Sequence, residues 1–233
     1  PRRAACFSGG RCVSGLFSAL LRPALFCMDA EQAHGFGVKA LKTGLLPASN
    51  IKSDSRLAVR AAGLAFPNPI GMAAGFDKNA EVPDALLGLG FGFTEAGTIT
   101  PKPQTGNPKP RVFRLVEDRA VINRLGFNNK GVDVLVRNVE RGQRKGIVGI
   151  NIGKNFDTPN ARAVDDYLAC LDAVYARASY VTVNISSPNT PFCWAASARR
   201  WDSRAMASMC SRSRPWAWAY FSVPSPIAHW SNA

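Results

Sequence analysis

The alternation of hydrophobic and polar positions predicts strands and helices that follow one another along most of the chain. Residues 57–66 alternate as in a half-buried strand, and the run from Tyr180 is β-branched and apolar, as in a buried strand. The pattern also predicts strands over 70–75, 91–99 and 146–152, an extended segment over 111–119, and helices over 79–89, 129–141 and 164–177. This order is typical of parallel βα units rather than of a sandwich.

Two short apolar helices are predicted before the first strand, over residues 16–28 and 30–46. The first is interrupted by Arg22-Pro23 and is shorter than the roughly 20 residues that a membrane-spanning helix needs. With Arg22, Lys39 and Lys42 beside its apolar positions, the pair suits an interfacial membrane anchor. Packing of the same helices on the protein core explains the pattern equally well, so both alternatives stay open.

The strand that begins at Tyr180 ends at Ser187-Pro188 in a turn rich in Asn, Ser and Thr. An ordinary Ser/Pro/Asn turn is the plain alternative. However, four segments bearing Gly or Asn follow predicted strands, at 73–79, 95–101, 151–155 and 184–191. In a (β/α)₈ barrel the carboxyl ends of the strands form the active site, so we expect these segments to converge there, beside the amide-rich loop 122–129. Small residues would let a flat cofactor approach the backbone, while amides and hydroxyls bond its heteroatoms.

These motifs, in this order, resemble those of the class 2, quinone-linked dihydroorotate dehydrogenases. The resemblance runs from about Leu16 to Pro191, and it rests on Ala-Gly-Phe-Asp-Lys at 74–78, Asn-Arg-Leu-Gly-Phe-Asn-Asn at 123–129, Asn-Ile-Gly-Lys-Asn at 151–155 and Asn-Ile-Ser-Ser-Pro-Asn-Thr-Pro at 184–191. It implies an α/β protein of the (β/α)₈ TIM barrel family that binds FMN and oxidises (S)-dihydroorotate to orotate in pyrimidine (UMP) biosynthesis. Ubiquinone or a related membrane quinone would take the electrons. The two-helix N-terminal extension that touches the membrane also belongs to this class.

The resemblance also implies roles for single residues. Flavin contacts would fall on Ala74, Gly75, Phe76, Asp77, Lys78, Thr98, Asn151 and Asn184. Substrate contacts would fall on Lys78, Asn123, Arg124, Leu125, Gly126, Phe127 and Asn189. Motif membership favours function for Lys78 and also for Lys154 over the alternative of a solvated loop lysine. An apolar surface for the quinone would comprise Leu16, Leu20, Leu21, Leu25 and Phe26, whereas for His34 we expect a local hydrogen bond rather than a quinone contact.

Ser187 matches the position of the catalytic base in this family. A serine hydroxyl is a weak base, so it would act in a closed site and relay its proton through water or a neighbouring hydroxyl. A Ser-His hydrolase is disfavoured, because no Gly-x-Ser-x-Gly elbow surrounds Ser187.

Charge and cysteine usage exclude other classes of function. The net charge is +13, but much of the excess lies at the two ends rather than along one basic face, so we expect no nucleic-acid partner. The six cysteines form no C-x-x-C pair and have no histidines at metal-ligand spacing, so we expect no metal site. Scattered thiols are typical of a reducing, intracellular compartment.

The composition changes abruptly after Pro191. All five Trp follow it, and Leu and Gly are absent from Phe192 onward. We therefore expect four regions: a leader unrelated to the family (1–15), the helical extension (16–48), the first half of the FMN-binding barrel (49–191) and an aberrant Trp/Arg-rich tail (192–233) produced by a shifted reading frame or an alternative terminus.

A half barrel of this kind is not expected to make a stable, flavin-loaded enzyme alone. A non-catalytic product that binds membranes or other chains is the alternative. The extension favours a peripheral location on the cytoplasmic side of a bacterial inner membrane, with the mitochondrial inner membrane as the other possibility.

Overall fold

The computed structural model describes residues 21–44, 54–143, 145–185 and 187. The predictions for the leader and the tail, and those for Leu16, Leu20 and Asn189, lie outside the described residues. The elements in chain order are α1 (Arg22–Cys27), α2 (Ala30–Lys42), a 3-10 helix (Ser55–Leu57), β1 (Val59–Ala61), β2 (Leu64–Phe66), β3 (Gly71–Met72), α3 (Pro83–Gly88), β4 (Phe93–Ile99), β5 (Val112–Leu115), β6 (Ala120–Asn123), α4 (Val132–Arg141), β7 (Ile147–Ile152), a 3-10 helix (Asn160–Arg162), α5 (Ala163–Val174) and β8 (Tyr180–Val183).

Four strands form one parallel sheet in the order β3-β4-β7-β8. Phe93 of β4 pairs with Ile147 of β7, and Gly149 of β7 pairs with Tyr180 of β8. Helices α3, α4 and α5 lie in the three connections between these strands. The predicted succession of parallel βα units is confirmed, and the four strands correspond to half of an eight-stranded barrel.

The core lies between this sheet and the helices α4 and α5. Helix α4 buries Val132, Leu135 and Val139, whose spacing places them on one face. Helix α5 contributes Tyr167, Cys170, Leu171 and Val174, and the sheet contributes Ile99, Ile150 and Ile152, which are fully buried. The β-branched runs of the sequence are therefore the centre of the fold.

Some predicted elements differ from the structure. Residues 57–66 are not one strand, because Ala62 and Gly63 adopt φ angles of 49° and 76° and turn the chain into the antiparallel hairpin β1-β2. Positive φ at both central residues is the conformation of a tight hairpin turn. Strand β3 is much shorter than the predicted 70–75, and the extended segment 111–119 is part of the hairpin β5-β6.

The helix predicted over residues 79–89 begins only at Pro83. The Asp77 carboxylate accepts hydrogen bonds from the backbone N–H groups of Glu81 and Val82, at 2.8 Å each. These bonds hold the preceding residues in a loop, and Pro83 suits the first turn of the helix that follows.

The helical extension is attached to the hairpin β5-β6 by arginine. The Arg114 guanidinium donates to the carbonyl groups of Leu25, Phe26 and Met28 at 3.1, 3.3 and 2.7 Å, which caps the end of α1. Its Cζ also lies 5.0 Å from the centre of the Phe26 ring. No helix within the described residues is long and apolar enough to cross a membrane.

A buried ion pair joins α2 to the loop before β5. The Arg111 guanidinium contacts the Glu31 carboxylate at 2.6 and 3.0 Å, and only 7% of the arginine side chain is exposed. The same guanidinium donates to the carbonyl oxygens of Thr105 and Asn107 at 2.6 and 2.9 Å. Arg111 therefore connects the extension with the long loop above the sheet.

Replacing Glu31 by alanine should lower the free energy of unfolding by about 3 kcal/mol, because it leaves the Arg111 charge buried without its partner. The pKa of Glu31 is lowered from 4.5, first by the hydrogen bond from Arg111. Since the folded-state pKa is the lower one, this stabilisation is complete above pH 4.5 and is lost as the pH falls further. Urea unfolding of wild type and Glu31→Ala between pH 3 and 7 measures both effects.

Lys109→Ala is the matched control. Its ammonium lies 3.8 Å from the same Glu31 carboxylate but is 68% exposed. It should change the free energy of unfolding by less than about 0.5 kcal/mol. Equal losses of unfolding free energy in Glu31→Ala and Lys109→Ala would contradict the larger contribution that we expect from the Glu31–Arg111 pair.

Candidate active site at the carboxyl ends of the parallel strands

Backbone hydrogen bonds join the carboxyl ends of the four parallel strands. The Gly75 N–H donates to the Gly97 carbonyl at 2.8 Å, and the Gly153 N–H donates to the Ile99 carbonyl at 2.8 Å. The Asn184 N–H then donates to the Ile152 carbonyl at 2.9 Å. The first residues of the four strand-end segments picked out by sequence therefore lie side by side, as expected; of the last segment the structure describes residues 184, 185 and 187.

Three predicted flavin contacts form a chain of polar side chains across these strand ends. The Asn184 amide donates to the Thr98 hydroxyl at 3.2 Å, and that hydroxyl donates to Asn151 Oδ1 at 2.7 Å. Thr98 and Asn151 are buried, at 8% and 6% exposure. The chain links strands β4, β7 and β8 and presents amide and hydroxyl groups in a single row.

Glu95 supports this row from inside the half barrel. Its carboxylate accepts hydrogen bonds from Asn151 Nδ2 at 2.9 Å, the Tyr180 hydroxyl at 3.1 Å and the Thr182 hydroxyl at 3.0 Å. Burial, with the Glu95 charge and hydrogen bond, raises the pKa of the Tyr180 hydroxyl. The sequence-based list of site residues missed Glu95, although an acid within a buried strand is the signal that could have found it.

Glycine leaves room at the edge of this row. Gly75 has a φ of +103°, and no atom of the described residues lies within 4 Å of the position that a Cβ would occupy. Gly97 has a φ of +118°, and a Cβ there would lie 2.3 Å from the Asn151 carbonyl oxygen. Gly97 is thus required for the close approach of two strands, whereas Gly75 faces open space into which a flat ligand fits.

A cavity of about 740 Å³ lies on the inner face of the sheet. It is lined at the strand ends by Ala73, Ala74, Asn151 and Asn184, and further in by Glu95, Phe93 and the hairpin β1-β2. This volume is within the range of cofactor sites, and mostly apolar walls with a few convergent amides are typical of them.

Lys78 is the cation that the sequence predicts for the site. Its ammonium donates to Asn128 Oδ1 at 2.7 Å. The pKa of Lys78 is lowered from 10.5 to about 8, chiefly by burial, with the Glu31 charge opposing this shift and the Arg111 charge adding to it. The lysine therefore remains largely protonated at neutral pH but is close enough to titration to respond to its surroundings.

Other predicted flavin contacts direct their side chains elsewhere. The Asp77 carboxylate is buried against the backbone of Glu81 and Val82, and burial raises its pKa. The Phe76 ring faces His34, with ring centres 5.1 Å apart, and His34 Nε2 lies 2.7 Å from the Phe76 carbonyl oxygen. The local hydrogen bond expected for His34 is therefore present, and it ties α2 to the segment that carries Lys78.

The predicted substrate loop, residues 123–127, is held by its backbone. Asn107 contacts the carbonyl groups of Arg124 and Leu125 at 2.8 and 3.1 Å, and the Gln104 amide donates to the Gly126 carbonyl at 3.1 Å. The Arg124 guanidinium donates to the Pro110 carbonyl at 2.9 and 3.2 Å, so it braces the hairpin. Asn123 and Arg124 are otherwise exposed.

A second layer of buried polar groups lies behind this loop. Asn129 Nδ2 donates to the Phe127 carbonyl at 2.6 Å and to the Thr100 hydroxyl at 2.9 Å, and Asn155 Nδ2 donates to Gln104 Oε1 at 2.9 Å. The Lys154 ammonium, only 2% exposed, donates to the carbonyl groups of Asn155 and Thr158 at 2.9 and 2.8 Å. In this structure Lys154 fixes its own loop and does not extend toward the row of amides.

Comparison with known proteins agrees with this geometry. A family model described as dihydroorotate dehydrogenase matches residues 56–212. The chain belongs to the dihydroorotate dehydrogenase family.

Its curated relatives are named as quinone-dependent enzymes. The dihydroorotate dehydrogenase (quinone) of Stenotrophomonas maltophilia is 61% identical over 176 residues, which are 74% of this chain and 50% of the relative. The mitochondrial enzyme of Cyclocybe aegerita is 62% identical over 180 residues, 77% of this chain and 54% of the relative. The chain thus spans about half the length of the curated relatives that it matches.

A solved structure shows the same fold. The dihydroorotate dehydrogenase of Eimeria tenella in complex with ferulenol superposes with a TM-score of 0.69 at 43% identity, covering 78% of this chain and 49% of that one.

Among residues 21–44, 54–143, 145–185 and 187, no group of His, Cys, Asp and Glu is arranged to hold a metal ion. Ser187 is buried at 9% exposure, just beyond the end of β8.

Thr98→Val should destabilise the chain by about 1–3 kcal/mol, because it removes the hydroxyl that donates to the buried Asn151 amide oxygen. The same substitution at Thr94 of β4 is the matched control, since the Thr94 hydroxyl is buried without a hydrogen-bond partner among the described residues. Thr94→Val should be neutral or slightly stabilising in thermal unfolding. If Thr98→Val is as stable as Thr94→Val in thermal unfolding, the hydrogen bonds of the Thr98–Asn151–Asn184 row do not stabilise the fold.

Proposed function

We propose that this chain forms the amino-terminal half of a site that oxidises (S)-dihydroorotate to orotate, with FMN as the hydride acceptor and a membrane quinone as the final electron acceptor. The observation that carries the proposal is the row Thr98–Asn151–Asn184 beside Gly75 and Lys78 at one end of four parallel strands. The relatives near 60% identity are named for this reaction.

The residues present fit a flavin. The open space at Gly75 would admit a flat ring, and the row supplies amide and hydroxyl groups of the kind that bond the heteroatoms of a flavin. Ala74, Gly75, Phe76, Asp77 and Lys78, with Thr98, Asn151 and Asn184, would hold FMN. FMN supplies hydride acceptance, which no amino-acid side chain provides.

The chain's own residues would handle the substrate and its proton. Lys78 would stabilise negative charge that develops on the substrate, and a cation in a partly buried site is more effective than one in water. Residues 123–127 and Asn189 would orient dihydroorotate. Ser187 would take the proton from one carbon of the bond being oxidised, and its burial would exclude bulk water from that step.

We expect that full activity needs strands beyond the four described. The chain alone should bind FMN poorly, because the matched region covers about half of each relative and half of a barrel. Co-expression with the carboxyl-terminal half of the Stenotrophomonas maltophilia relative should give a soluble yellow complex in which dihydroorotate drives quinone reduction. A soluble complex without flavin or turnover would contradict the proposed function. A yellow, active preparation of the chain alone would contradict the need for further strands.

Within that complex, Ser187→Ala should lower kcat by about 10²–10⁴-fold, because a positioned general base contributes on that order, while the flavin absorbance stays unchanged. Ser187→Cys should retain more turnover at high pH, because a thiol ionises more readily than a hydroxyl.

Ser179→Ala is the matched control, since Ser179 accepts a hydrogen bond from the Val148 N–H at 3.1 Å, at the amino end of β8. It should leave kcat within about twofold. Equal losses in the Ser179 and Ser187 variants would exclude Ser187 as the base.

We also propose that the helical extension lies on the surface of a membrane, the bacterial inner membrane or its mitochondrial counterpart. Leu21, just before α1, exposes 46% of its surface. Phe26 of α1 exposes 50%, and Phe36 of α2 exposes 49%. One relative is named as mitochondrial. A quinone dissolved in lipid would reach the flavin side along these apolar helices, which include Leu25. The non-catalytic, membrane- or protein-binding product remains the alternative to the enzyme.

Phe36→Ser should reduce binding of the chain to phosphatidylglycerol-containing vesicles by about tenfold in co-sedimentation, since one buried phenylalanine contributes about 1.5–3 kcal/mol. Phe156→Ser is the matched control, because Phe156 is 60% exposed but lies in the loop after β7. It should not change vesicle binding. Equal losses in both variants would contradict a membrane contact specific to the extension.

A further inference from the structure

Asn128 lies outside the residues to which the family resemblance assigns a role, yet it makes a direct contact with the predicted catalytic cation. Its Oδ1 accepts a hydrogen bond from the Lys78 ammonium at 2.7 Å, across 50 residues of sequence. The two residues come from different loops, one after β3 and the other after β6. We propose that Asn128 is a positioning residue that aims the Lys78 ammonium and keeps it available for an anionic substrate.

The backbone on either side of Asn128 is fixed, so its side chain has a defined direction. Phe127 has a φ of +54°, and its carbonyl accepts a hydrogen bond from the Asn129 amide at 2.6 Å. Asn129 is joined to Gln104 by two backbone hydrogen bonds of 3.0 Å. Asn128 therefore lies between Phe127 and Asn129, both of which are held by hydrogen bonds. A side chain that positions another group needs a fixed backbone of this kind.

The charges that face Lys78 come from two other elements. Glu31 of α2 favours the protonated lysine, whereas Arg111, located just before β5, opposes it. These two charges are already paired with each other at 2.6 Å. A neutral amide is therefore the partner that holds the ammonium without neutralising it, since a carboxylate at position 128 would form an ion pair with Lys78 and compete with an anionic ligand.

The role in turnover rests on the proposed function, but the contact can be tested without flavin or substrate. The full chain is labelled with trace acetic anhydride between pH 6 and 11, and acetylation of Lys78 relative to the exposed Lys39 is measured by mass spectrometry. Asn128→Asp should raise the apparent pKa of Lys78 by about one unit or more, because it adds an opposite charge in contact. Asn128→Leu should lower it, because it removes an acceptor that favours the charged form.

Asn138→Leu is the matched control. Asn138 donates to the Asn79 carbonyl at 2.9 Å, next to the Lys78 segment but not to Lys78 itself. It should leave the Lys78 profile as in wild type, and thermal unfolding establishes that each variant is folded. If Asn128→Leu fails to fold, the change in the apparent pKa of Lys78 in Asn128→Asp still tests the proposal.

Opposite shifts in the two Asn128 variants support the proposal. A profile unchanged in Asn128→Asp, or shifted downward in both variants, overturns it. In the co-expressed complex, Asn128→Asp should also raise KM for dihydroorotate by about tenfold, with kcat affected less. Absence of flavin from that complex would count against the proposed function, while the labelling result would still stand for Lys78 and Asn128.

Discussion

Parallel pairing of β3, β4, β7 and β8 is the constraint on which the rest of the structure depends. Because all four strands run in one direction, their carboxyl ends meet at one edge, and each following loop begins there. Residues separated by 86 positions, such as Thr98 and Asn184, are brought within hydrogen-bond distance in this way. The fully buried Ile99, Ile150 and Ile152 hold the register that makes this possible, so core packing and site geometry have the same origin.

The helical extension, α1 and α2, is attached to the strand-end loops by an ion pair and a hydrogen bond. Glu31 of α2 contacts Arg111, and His34 of α2 contacts the carbonyl of Phe76, two residues before Lys78. The contacts show that the open alternatives for the extension are not exclusive, since α2 packs on the barrel while Phe36 stays exposed.

Local pattern was enough to predict the parallel units and the meeting of their strand ends, because burial and turn formation depend mainly on neighbouring residues. The hairpin β1-β2 was missed because Ala62 adopts a positive φ that nothing in an alternating run reveals. The late start of α3 was missed because a single carboxylate, Asp77, accepts hydrogen bonds from the N–H groups of Glu81 and Val82 and holds these residues in a loop before the helix. An acid within a buried strand was the available signal for Glu95, but its partners could not be predicted. The same holds for the ion-pair partner of Arg111 and the partner of Asn128, since each lies at least 50 residues away.

Glu95 also determines the direction in which the site presents its polar groups. The Glu95 carboxylate accepts all three of its hydrogen bonds, so the Asn151 amide turns its nitrogen toward Glu95 and its oxygen toward Thr98. The Thr98 hydroxyl then donates to Asn151 and is left to accept from the Asn184 amide. The polarity of the whole row therefore follows from one acid inside the half barrel. A glutamine in its place could both donate and accept, and the row would lose its single orientation even with every residue at the strand ends unchanged.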